Sequence, residues 1–277
     1  MTAAQLPQPL GLRGAAPMRT RARFGDLYAA EWIKLWSLRS TSLTLGAAVA
    51  LALYFAGSNS AGGTMLATGP SGPIDPNHAA FDGPSWIPSM IGVAMIGALA
   101  LVGEHASGLI RTTLVAIPER RRLVVAKAGV LASVTAATAL VAAVGGLLLA
   151  FATTPGDLHG RSLTDPASLD AIGASVAVLP VCALTGMALG ALLRHAAATG
   201  FAVCAVLGFG PLLIRPDGNR LATDLANVMP YYAWGRLTSA GRGSSGTMTA
   251  GEACLILAAW ALASIVVTAV VLDRRDV

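Results

Sequence analysis

The chain has 277 residues, 55% of them hydrophobic and 12% charged, with a formal net charge of +5. Soluble domains carry roughly a quarter charged residues, so this composition excludes disorder, a nucleic-acid-binding arm and an ordinary soluble globule. Mean hydropathy is +0.66, and the apolar residues are gathered into long runs, as in a polytopic membrane protein.

Residues 1–25 read as a flexible basic N-terminus, with Arg13, Arg19, Arg21 and Arg23. The first apolar run starts only after about 40 residues, too far in for a cleavable signal peptide, so it reads as a retained span. Before it, residues 26–40 have the pattern of an amphipathic helix. At 100° per residue Tyr28, Trp32, Ile33, Leu35 and Trp36 share one arc. Asp26, Glu31, Lys34 and Ser37 share the other, with Leu27 and Leu38 intruding. Two tryptophans on one face suit a helix lying in the membrane interface; the plainer reading is the end of the first span.

A helix needs roughly 20 apolar residues to cross the hydrocarbon. Six runs within residues 41–272 meet or approach that length: Thr41–Gly57, Ser85–Gly103, Val124–Ala152, Ala171–Leu193, Ala196–Ile214 and Ala253–Leu272. Lys127, at the margin of the third, has a stem long enough to snorkel to the headgroups. Only Arg194 and His195 separate the fourth from the fifth, which predicts a tight hairpin. Pro180 and Gly208–Pro211 predict bends. Gly186 and Gly190 form a small-xxx-small pair, read as packing within the chain rather than as a dimer face.

Basic residues set the expected orientation. Arg13, Arg19, Arg21, Arg23, Lys34 and Arg39 precede the first span. Arg111, Arg120, Arg121, Arg122 and Lys127 follow the second, Arg194 the fourth, and Arg274 and Arg275 the sixth. The opposite side holds Arg161, Arg215, Arg220, Arg236 and Arg242. Both termini, including the 273–277 tail, are therefore expected in the cytoplasm of a multi-pass cell-membrane protein. The long loop after the fifth span carries four of the dissenting arginines, and its Met229–Trp234 stretch is expected to return to the interface as an aromatic anchor.

Apart from Lys127, the six runs contain no Asp, Glu, Lys, Arg or His. That disfavours an ion-coupled transporter and a charged-ring filter. A passage would be lined by small and apolar groups plus Thr135, Thr138, Ser175, Thr185 and Thr268, which suits apolar or amphiphilic cargo; helix packing is the other use for those hydroxyls. Cys182, Cys204 and Cys254 are isolated in apolar runs, with no disulfide framework or metal spacing. There is no HExxH, and Glu104–His105 stands alone. The GxSG strings at Gly69–Gly72 and Gly243–Gly246 sit in loops and open no span. No GxxxxGK[ST] exists, so the chain cannot cradle a nucleotide by that route. No catalytic residue and no metal site is assigned.

The segment Gly103–Lys127 has a turn at Ser107–Gly108, a possible two-turn helix over Leu109–Ala116 and a stop at Pro118. It is either a basic loop held at anionic lipid or a short helix that docks in a partner's groove. Here, and in the first helix, the chain resembles a known family. Glu31-Trp32-Ile33-Lys34-Leu35 with Ser37-Leu38-Arg39-Ser40-Thr41 is similar to the N-terminal signature of actinobacterial type-2 ATP-binding cassette (ABC) permeases. Glu104, Ser107-Gly108, Ile110-Arg111-Thr112-Thr113-Leu114, Pro118 and Lys127 resemble the family's segment after the second span. His105 and Glu119 depart from its pattern.

The resemblance implies an all-α integral membrane protein of six transmembrane helices, with an N-terminal amphipathic elbow helix and a cytoplasmic coupling helix. It implies an export permease working as a dimer with a second permease copy, in the lipid bilayer, and driven by separate ABC ATPase subunits. ATP and Mg would bind the ATPase, with no cofactor on this chain. Gly108, Leu109, Ile110, Arg111, Thr112, Thr113 and Leu114 would make the coupling contacts. Glu104 would organise that loop by pairing with Arg111 or one of Arg120, Arg121 and Arg122. Glu31, Trp32, Lys34, Trp36 and Arg39 would form the elbow. The competing expectation is a non-transporting membrane subunit, a sensor or immunity factor, that anchors a cytoplasmic partner.

Overall fold

The computed structural model describes residues 23–61, 75–106, 120–154, 162–214, 219–238 and 248–274. Among these residues every regular element is helical. Six helical stretches are long and apolar enough to cross a membrane; the protein is an all-α, multi-pass membrane protein. With no water in hydrocarbon, a spanning segment must satisfy its own backbone groups, and a helix does so within itself.

Helix α1 (Phe24–Ser37) opens with Asp26 accepting a 3.1 Å hydrogen bond from the Arg23 amide. The Ser37 hydroxyl donates to the Lys34 carbonyl, and Leu38 is extended (φ −91°, ψ 113°), which separates α1 from α2 (Arg39–Ser60). The first span is therefore longer at both ends than its apolar run. A short helix, α3 (Pro76–Ala80), is capped by Asp75 and precedes α4 (Gly83–Ala106). So the segment between the first two spans is not all loop: Ala79 is buried, and its carbonyl accepts from Asn59 of α2.

Helix α5 (Arg120–Thr153) and α6 (Pro166–Leu193) follow. The α4–α6 crossing is close, and glycine makes it possible. A Cβ on Gly186 would lie 1.8 Å from the Ala94 carbonyl oxygen, and one on Gly97 would lie 1.9 Å from that of Ala183. Gly190 faces Ala98 in the same way. The small-residue pair of the fourth span thus packs within the chain.

The expected hairpin is present. Arg194 takes a left-handed conformation (φ 54°), and the chain turns at once into α7 (Ala196–Val203), whose start is capped by His195. The fifth span then runs through a π-helical turn, Cys204–Phe209, into α8 (Gly210–Leu213). That irregularity falls where Gly208–Pro211 predicted a bend.

Helices α9 (Arg220–Val228) and α10 (Pro230–Thr238) precede the last span, α11 (Ala250–Arg274). This region departs from expectation. Trp234 is 0% exposed, donates a 2.9 Å hydrogen bond to Ser175 of α6 and packs on Trp86 at 5.5 Å. Trp260 of α11 donates to the Val228 carbonyl. Ser175 and Trp260 lie roughly three turns in from the starts of their helices. The α9–α10 pair therefore folds back into the bundle, and Met229–Trp234 anchors on protein rather than at the interface. The ring of Tyr232 places its hydroxyl within reach of the Pro211 and Ile214 carbonyls, which end the fifth span. Irregular backbone at membrane depth is tolerated where protein partners satisfy it in this way.

Two ends of the bundle can be distinguished. At one, α1, the end of α4 and the starts of α5 and α2 converge, and Arg121 of α5 pairs with Asp273 of α11 at 3.1 Å. At the other are α3, Ser168 of α6 hydrogen-bonded to Asn77, and the Ser60–Thr153 hydroxyl contact.

Candidate functional site

The site with most chemical content lies where α1 meets α4 and α5. The Lys127 ammonium is buried, its side chain 7% exposed, on the first turns of α5. It contacts Glu31 Oε2 of α1 at 2.5 Å, Glu104 Oε1 of α4 at 2.9 Å and the Ala100 carbonyl at 3.3 Å. Three acceptors thus face its three donors. Lys34, one turn beyond Glu31, donates to Glu31 Oε1 at 2.7 Å and to Glu104 Oε1 at 3.1 Å. Two carboxylates and two ammoniums therefore close a four-membered network in which Glu31 is 4% exposed and Lys34 is 43% exposed.

Burial explains the geometry. A charge away from water costs heavily unless it is paired and hydrogen-bonded. Lys127 accordingly does not snorkel; α1 and α4 bring carboxylates to it. The same pairing turns part of the polar arc of α1 inward. Its buried stripe is Leu27, Glu31 and Leu35, while Trp32, Ile33 and Trp36 are exposed. Tyr28, Trp32 and Trp36 form a ladder of rings with centroids 6.4 and 6.1 Å apart. The Tyr28 hydroxyl reaches Ser133 of α5 at 2.7 Å. Burial alone would raise the Glu31 pKa, but the charge and hydrogen bond of Lys127, followed by Lys34, outweigh it and hold the carboxyl below its ordinary value. Lys34 is the converse: burial lowers it, and Glu31 with Glu104 raises it further.

Beside the network is a cavity of about 390 Å³. Its walls are mainly apolar, with Leu35, Met95, Ile96, Leu99, Val130 and Leu131, and Thr41 stands among them. Glu31, Lys34, Glu104 and Lys127 form its polar end. Its mouth lies between exposed Leu38 and Ser40 at the α1–α2 junction and exposed Leu99 and Gly103 on α4.

The other site residues fall as follows. Arg39 is exposed at the first position of α2. Arg121 pairs with Asp273. Arg120 begins α5. Gly108, Leu109, Ile110, Arg111, Thr112, Thr113 and Leu114 lie outside the described residues, as do both GxSG strings. Glu104 pairs with Lys34 and Lys127. The hydroxyls of Thr135, Thr138, Ser175, Thr185 and Thr268 each donate to the carbonyl four residues earlier in their own helix. Ser175 also accepts from Trp234.

One sequence signal could have found the network. The chain has 17 arginines and only two lysines, and both lysines are in it. A compact ammonium can point three donors at three acceptors packed around it; a planar guanidinium cannot. Comparison with known proteins gives no matching family model and no matching curated protein.

Proposed function

We propose that the chain is the membrane-spanning permease subunit of an ATP-driven exporter, forming the substrate pathway as a dimer with separate ATPase subunits at its cytoplasmic face. One observation carries the reading. The two stretches that resemble the permease family lie 70 residues apart, measured from Lys34 to Glu104. They close on each other through four charges: Glu31 and Lys34 from the first, Glu104 and Lys127 from the second. Residues 107–119 connect Glu104 to the helix that carries Lys127, so the network would hold both roots of that connection against α1. A partner that moves the connection would load α1, α4 and α5 together. The convergence of α1, the end of α4, Arg121 and Asp273 at one end supports a single partner-facing side, which the positive-inside bias of the basic residues favours as the cytoplasmic one.

The competing reading, a non-transporting subunit that anchors a partner, draws on the interior. The five hydroxyls expected along a passage each donate to a carbonyl of their own helix, so in a single copy they offer a passage acceptors but no free donor. Both readings predict a cytoplasmic partner. Only the permease reading predicts an ATPase whose turnover changes on assembly.

The test is copurification with the candidate ATPase. Ile110→Asp with Leu114→Asp would place two unpaired carboxylates in the proposed groove, a cost of several kcal/mol. The double variant is expected to insert normally and to lose the ATPase and transport together. Wild-type recovery of the ATPase would refute the coupling role of this segment.

A further inference from the structure

We infer that the cavity beside the charge network is a lipid site that holds the acyl chain of an anionic bilayer phospholipid, with the phosphate at Lys34. Its volume, about 390 Å³, lies within the roughly 300–1,000 Å³ range of small-molecule sites. Its walls are mainly apolar and its charged groups, Glu31, Lys34, Glu104 and Lys127, are gathered at one end, the division of an amphiphile. Its mouth is formed by exposed residues at the start of the first span, Leu38 and Ser40, facing Leu99 and Gly103. In a multi-pass protein the molecules against that surface are lipids.

The sign of the headgroup follows from how the charges are layered. Glu31 and Lys127 are almost fully buried, whereas Lys34 is 43% exposed. The network is neutral as a whole, but a ligand entering from the mouth meets the ammonium first, with the Glu31 carboxylate behind it. Two of the three Lys34 donors are used, on Glu31 and Glu104. Arg39, exposed five residues further on, adds a positive charge with no counterpart in the network. A phosphate is thereby favoured, while a quaternary ammonium finds no accessible carboxylate. The Thr41 residue is 4% exposed, lines the cavity, and its hydroxyl makes no hydrogen bond among the described residues, leaving a donor inside for a glycerol-ester oxygen. The inference is independent of the export reading, since an anchoring subunit would hold the lipid equally well.

The probe is a phosphatidylglycerol with a photoactivatable group on its acyl chain, applied to the purified full chain in nanodiscs of phosphatidylcholine. Crosslinks are expected on the α4 peptide that holds Met95 and Leu99. Unlabelled phosphatidylglycerol should compete at least tenfold better than phosphatidylcholine, and inorganic phosphate should not compete. Leu99→Trp, at an exposed position of the mouth, should lower labelling at least tenfold, and Thr44→Phe, facing it from α2, should act in the same direction. Lys34→Gln should bring the two lipids to parity while labelling persists. Equal competition by phosphatidylcholine in the wild type, displacement by phosphate alone, or unchanged labelling in both mouth variants would overturn the site.

Discussion

Lys127→Met removes the centre of the charge network while keeping the length of the stem. In the wild type the ammonium has acceptors at 2.5, 2.9 and 3.3 Å. In the variant Glu31 and Glu104 remain, with only the half-exposed Lys34 between them. Removing one partner from a buried ion pair costs about 3–5 kcal/mol, because the other charge is left buried. Neutralising the whole buried set is a different perturbation. Glu31→Met, Glu104→Met and Lys127→Met together leave no buried charge, and replacing a buried ion pair with apolar residues of similar volume is often neutral or stabilising. The triple variant is therefore expected within about 1 kcal/mol of wild type, well above the single one. Lys127→Arg keeps the charge but overfills a site built for an ammonium, at a cost of roughly 1–3 kcal/mol. Unfolding in mixed detergent micelles, followed by helical circular dichroism, gives the differences. A Lys127→Met variant as stable as wild type, or a triple variant no better than the single, would show that the network is solvated and refute the reasoning.

Titration supplies a second check. The Glu31 pKa is depressed, so its contribution is full above the ordinary glutamate value of about 4.3 and lost as pH falls through its lower folded value. The Lys34 pKa is raised, so its contribution is full below about 10.4 and lost as pH rises through its higher folded value. Stability from this pair should be flat between those limits, and Glu31→Gln should soften the acid-side loss; an identical acid limb would contradict the pairing. Gly186→Ala drives a Cβ to 1.8 Å from the Ala94 oxygen and should cost about 3 kcal/mol or more. Gly46→Ala, with nothing within 4 Å, should be neutral or stabilise by up to about 1 kcal/mol; similar thermal midpoints for the two would sink the close α4–α6 crossing. Orientation is tested at His78, exposed beside buried Ala79. In a background lacking Cys182, Cys204 and Cys254, His78→Cys should react with an impermeant thiol reagent in intact cells, and labelling only after permeabilisation would invert the topology.

The number and approximate positions of the spans are legible in the sequence because spanning is a local property: each segment satisfies its own backbone and needs only its own length of apolar residues. The existence of the first helix, the hairpin at His195 and the bend near Gly208–Pro211 come from the same kind of local pattern. What the chain does with its few polar groups is not local. Lys127 and Glu31 are 96 residues apart and Trp234 and Ser175 are 59 apart, and no periodicity links such positions. An interfacial arc that holds Glu31 and Lys34 reads as solvated until α5 presents a buried ammonium to it. An aromatic stretch such as Met229–Trp234 reads as an interface anchor until α4 and α6 offer Trp86 and Ser175. Each polar residue in a membrane takes the partner that removes the greatest desolvation penalty, and only the packing of helices distant in sequence determines which partner that is.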